Sequence, residues 1–91
     1  MYSQCHLGQQ LWRKLTSAER QVLACALNHL SDRDIANRLH CSQHTVRSHI
    51  RNICGKAREL HGHPLKFRRD ILPLFWQTGL PESDVVVYPV K

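Results

Sequence analysis

A chain of 91 residues sets the prior at one small domain. A domain of this size buries roughly 60% of its unfolded surface, which leaves little room for a deep catalytic cavity. A formal charge of +6 and an isoelectric point near 9.6 point to a polyanionic partner, and no apolar run approaches the ~20 residues that span a bilayer.

Residues 1–14 are mixed in character. Leu7, Leu11 and Trp12 offer anchors, and a lead-in helix is predicted from about Gln9. The first residues lack a charged segment followed by an apolar core, so no secretory leader is expected. The expected compartment is the cytoplasm, where the four cysteines stay reduced.

From Leu15 the pattern sharpens. Thr16-Ser17-Ala18-Glu19 fits a capping box, in which the Thr16 hydroxyl accepts from the Glu19 amide and Glu19 reaches back to the Thr16 amide. Val22, Leu23, Ala26, Leu27 and Leu30 then give an apolar face at helical spacing. Ser31-Asp32-Arg33-Asp34 is a second helix start, with acidic residues where the helix dipole favours them. Ile35, Ala36 and Leu39 are its predicted buried face.

Ser42 caps a third helix of this series. Its apolar stripe, Val46, Ile50, Ile53 and Ala57, falls within about 60° of arc at 100° per residue. Arg47, Arg51 and Arg58 cluster within about 40° on another face, beside His44, Ser48 and Gly55. Residues 40–70 hold seven Lys/Arg against two acidic residues, a net of +5, whereas residues 16–39 balance three against three. The positive field is therefore centred on the arginine helix. No Asp or Glu occurs between Asp34 and Glu59, although a helix that is merely solvated usually mixes signs for i,i+4 pairing. An arginine face backed by an apolar stripe suits a helix pressed into a DNA groove.

Gly62 and Pro64 break the chain. Pro64 is expected to open a further helix through Leu65, Phe67, Ile71 and Leu74/Phe75, which Pro73 should kink or shorten. Gly79-Leu80-Pro81 ends it, and the tail DVVVYPV has strand propensity without an evident pairing partner.

Cys41, His44, His49 and Cys54 invite a zinc reading. On a helix His44 and His49 diverge by about 140°, however, which spoils the ligand geometry. Small buried hydrophobes explain Cys25 and Cys41, so no metal is expected. No glycine-rich phosphate loop and no nucleophile–base pair points to an enzyme, and no cofactor is expected.

From Leu15 onward the residues resemble the DNA-binding domain of LuxR/GerE-type transcription factors. Leu15, Thr16, Glu19, Val22 and Leu23 match its opening pattern. Leu30, Ser31, Asp34, Ile35, Ala36 and Leu39 match its middle, and Ser42, Thr45, Val46, Arg47, His49, Ile50, Ile53 and Lys56 match its groove helix. His29 and His40 stand where the family often has glycine, and must accept a left-handed conformation or a different turn. Ala18 replaces a common arginine, and after Lys56 the similarity fades.

The resemblance implies an all-α fold: a four-helix LuxR-type helix-turn-helix domain, here preceded by the lead-in helix and followed by an extended tail. The boundaries are 1–14 for the extension, 15–78 for the domain and 79–91 for the tail. The implied function is sequence-specific binding of double-stranded DNA by a transcription regulator, with a recognition helix at about 43–58 in the major groove. The family's contact positions fall on Gln43, His44, Thr45, Arg47, Ser48 and Arg51, and Arg58 joins them by sharing their face. The fourth helix implies a dimer contact through Phe67, Ile71, Phe75 and Trp76, and a weak homodimer that DNA promotes is expected. Two rival readings are an adaptor that binds another regulator through the same domain, and a promoter-recognition module resembling sigma region four, whose partner would include RNA polymerase.

Overall fold

Three hydroxyl caps decide where the helices of the domain begin. The computed structural model describes residues 2–78, with side chains described for 8–76. The lead-in helix α1 spans Tyr2–Lys14, earlier than the expected start near Gln9. Thr16 then caps α2 (Ser17–Leu27) with both bonds of the capping box in place. Its hydroxyl accepts from the Glu19 amide at 3.2 Å, and Glu19 Oε1 accepts from the Thr16 amide at 3.0 Å. Ser31 caps α3 (Asp32–Leu39) by accepting from the Asp34 amide at 3.2 Å. Ser42 caps α4 (Gln43–His61) by accepting from the Thr45 amide at 3.0 Å. Each cap satisfies an amide that has no carbonyl partner inside its helix.

The helices stop by left-handed residues. His29 closes the turn after α2 with φ 67°, His40 ends α3 with φ 59° and Gly62 ends α4 with φ 90°. Both histidines thus adopt the conformation in which a glycine would be unstrained.

Pro64 does not open a helix. Residues 62–66 are a non-helical link from which only Leu65 packs on the core, and the chain re-enters helical structure as a π turn at Phe67–Ile71 that runs into α5 (Leu72–Thr78). Asp70 Oδ2 accepts from the Lys66 amide at 2.8 Å and fixes the start of that turn. The wide turn precedes Pro73, whose missing N–H could not donate to the Arg69 carbonyl, so the proline is absorbed by a change of helical register and no break follows.

Helices α2 and α3 pack on α4, while α1 lies against α4 and α5. The core joins Leu11, Trp12, Val22, Leu23, Ile35, Val46, Ile53, Ala57, Ile71, Leu72 and Phe75. Ile50 is only half-buried. It sits on the edge of the stripe nearest the arginines, about 40° from Val46. Phe67, Ile71 and Phe75, expected at a dimer interface, are instead 6%, 0% and 2% exposed within one chain. Their side chains are spent on the subunit's own core, which corrects that expectation. Trp76 alone of the set is exposed, at 48%. Its Nε1 donates to the Leu27 carbonyl and its ring stacks on His29 at 5.5 Å.

The described residues form an all-α fold without a strand. None of their helices is long and apolar enough to cross a membrane. The tail expected to have strand character lies outside the described residues.

Candidate nucleic-acid interface

The buried stripe of α4 determines what its other face can do. With Val46, Ile53 and Ala57 fully buried, the helix turns Gln43, His44, Arg47, Arg51 and Arg58 to solvent. Ser48 and Thr45 sit at the margin, half-buried. All seven side chains expected to contact DNA therefore lie on one helix, and five of them are exposed. Thr45 also has a local task, since its hydroxyl lies 3.0 Å from Ser42 Oγ at the helix start.

The arginines are held differently. Arg47 Nη2 donates to Gln43 Oε1 at 3.3 Å, and its Nε lies 3.7 Å from Asp32 Oδ2. Farther along, Arg51, Gly55 and Arg58 line an open depression of about 260 Å³ together with Cys54, Pro64 and Leu65. A Cβ at Gly55 would meet nothing within 4 Å, so the helix surface at this residue is open.

Two ion pairs escape any reading by local spacing. Glu19 is buried, and its Oε1 accepts from Lys56 Nζ at 2.6 Å as well as from the Thr16 amide. Burial alone would raise the Glu19 pKa. The bonds from Lys56 and Thr16, with the charges of Lys56 and His49, outweigh it and bring the carboxyl below its ordinary value. Lys56 thus ties α4 to α2, although the sequence counts it with the basic field. The second pair joins Arg68 Nη2 to Asp32 Oδ1 at 2.8 Å, and the same nitrogen donates to the Leu30 carbonyl at 3.2 Å. Arg68 comes from the π turn, so the segment after α4 reaches back to the start of α3. Both pairs link residues more than thirty positions apart, beyond the reach of helical periodicity.

Beside Arg68 and Asp32 lies a second open depression, of about 470 Å³, lined also by His29, Ser31, Arg33 and Gln43. It adjoins the exposed start of α4.

Cys25, Cys41 and Cys54 are free thiols. Burial pushes the Cys25 and Cys54 thiols up from their ordinary range. Among the described residues no three His, Cys, Asp or Glu side chains converge on a point that could hold a metal ion.

The chemistry of this surface is that of a rigid cationic helix. It carries guanidinium groups that can grip phosphate or pair with a guanine edge, and an amide and an imidazole at its tip. The family model described as bacterial regulatory proteins, luxR family, matches residues 13–58, from the end of α1 through Arg58 of α4. No curated protein and no solved structure matches the chain.

Proposed function

The chain belongs to the luxR family of bacterial regulatory proteins, and on that premise we propose that it is a cytoplasmic transcription regulator that binds double-stranded DNA at specific sequences. Helix α4 enters the major groove. Gln43, His44 and Thr45 lie at its tip, Ser48 follows in the second turn, and Arg47, Arg51 and Arg58 run along its outer face. The observation that carries this reading is the exposed arginine row on the helix whose opposite side is locked into the core. No cofactor is required. A weak homodimer formed on DNA stays within the proposal through Trp76, the exposed member of the expected interface set.

A gel shift against random and genomic duplexes, repeated over a salt series, tests the reading. Tight binding with a log–log salt slope of about −0.9 per neutralised phosphate is expected. Feeble binding with a shallow slope would support the adaptor reading instead. Capture of RNA polymerase together with weak duplex binding would favour the sigma-like one.

A further inference from the structure

The geometry points to Asp32 as the residue that aims Arg47 at a base edge and keeps it off the DNA backbone. The inference rests on the DNA-binding reading of α4. Arg47 is 62% exposed at its side chain, yet it is gripped on two sides. Gln43 Oε1 accepts from its Nη2 at 3.3 Å, and Asp32 Oδ2 lies 3.7 Å from its Nε. The carboxylate is itself anchored. Arg68 Nη2 donates to Asp32 Oδ1 at 2.8 Å and to the Leu30 carbonyl at 3.2 Å. A chain of contacts therefore runs from the Leu30 backbone through Arg68 and Asp32 to Arg47.

A guanidinium has five N–H donors in a planar fork. The Asp32 carboxylate stands on the Nε side of that fork and Gln43 takes one donor of Nη2, so the remaining Nη donors form the edge left for an outside acceptor. That edge is suited to the paired acceptors O6 and N7 of guanine. An unrestrained arginine on the same helix would sweep across several phosphates, which strengthens binding to any sequence and reads none. Asp32 is thus a positioning residue, and it repels phosphate from the place Arg47 would otherwise reach. Arg68 follows the last residue matched by the family model, so this anchor is supplied by the chain's own C-terminal segment.

The test compares two probes, a random-sequence duplex and duplexes enriched from a random pool by the unaltered protein. Asp32→Asn should tighten binding to the random duplex and weaken binding to the enriched one. The specificity ratio should fall about tenfold, within what a single bidentate base contact supplies. A fresh selection with Asp32→Asn should lose its preference at one base pair while keeping the others. Arg68→Gln leaves the carboxylate in place without its anchor, and should weaken the enriched duplex without tightening the random one. Asp34→Asn removes the same charge from the same turn of α3, and should tighten both probes equally. A ratio unchanged in Asp32→Asn, or one that falls as far in Asp34→Asn, would overturn the inference and leave DNA binding standing. If the unaltered protein enriches no sequence at all, the DNA-binding reading fails first and this inference fails with it. Thermal melts of all three variants separate a lost fold from a lost preference, and Arg68→Gln keeps the test open if Asp32→Asn melts early.

Discussion

Glu19 on α2 and Lys56 on α4 stand 37 residues apart and meet at 2.6 Å. The carboxylate that completes the Thr16 capping box is the same one that clamps α4 to the domain. One side chain therefore fixes both where α2 starts and how α4 lies. Glu19→Ala should cost roughly 2–4 kcal/mol, from the weakened cap and a charge-assisted bond lost in a buried place. The pair also sets a pH dependence. The folded carboxyl titrates below its ordinary value, so its contribution is complete above the ordinary glutamate pKa of about 4.3 and is lost as pH falls through the lower folded value. Glu19→Gln should flatten that part of the acid limb in urea melts taken from pH 6 to pH 3. An unchanged acid limb would show that Glu19 is not among the groups that drive acid unfolding.

Arg51→Ala should weaken DNA binding and leave the melting temperature unaltered, because the side chain is exposed. If Arg51 reads a guanine, the loss is about 1–3 kcal/mol at one base position. If it grips phosphate, the loss is uniform over sequences and the salt slope falls by about one. Fluorescence titrations at several salt concentrations separate the two, and unchanged affinity would remove α4 from the groove.

Ile53→Ala should cost roughly 2–5 kcal/mol, as for a fully buried aliphatic residue. Ile50→Ala should cost less, because Ile50 keeps part of its surface in solvent. Urea midpoints give the order directly. The reverse order would mean that α4 is rotated about its axis.

His40→Gly should stabilise the fold by about 0.5–1 kcal/mol. A left-handed residue with a Cβ costs about 1–2 kcal/mol, and the added chain entropy of glycine returns part of the gain. His29→Gly should gain less, since it also removes the ring stacked on Trp76. A shift of the urea midpoint to lower concentration in His40→Gly would contradict the turn geometry.

The free protein should sediment as a monomer at micromolar concentration. Three of the four residues expected at an interface are packed inside the subunit, and Trp76 offers a small patch against the roughly 800 Å² per partner of a standard stable interface. A dimer persisting at nanomolar concentration would refute this.

Much of the local structure was legible in the sequence. The caps at Thr16, Ser31 and Ser42 follow from side-chain chemistry within a few residues, whereas the left-handed turns at His29 and His40 were signalled by the glycine positions of the family the chain resembles. The arginine face of α4 follows from helical spacing alone. What was not legible needed tertiary information. Periodicity marks Phe67, Ile71 and Phe75 as an apolar face, but it does not say whether the same chain or a second copy covers it. Lys56 and Arg68 read as part of a basic field, because nothing local places them against Glu19 and Asp32. Pro73 suggested a kinked or shortened helix, and nothing in the spacing signalled the π turn that precedes it.

The rings of Trp12 and Phe75 lie 6.3 Å apart and tilted by 60°. One belongs to the lead-in helix and the other to the last, so the two ends of the described chain share a single seam. Undocking either helix would uncover the other's aromatic ring. Amides in α1 and α5 should therefore open to hydrogen exchange together, as one cooperative unit. This contact joins residues 12 and 75, and the loop-closure entropy of so long a separation opposes its early formation in folding.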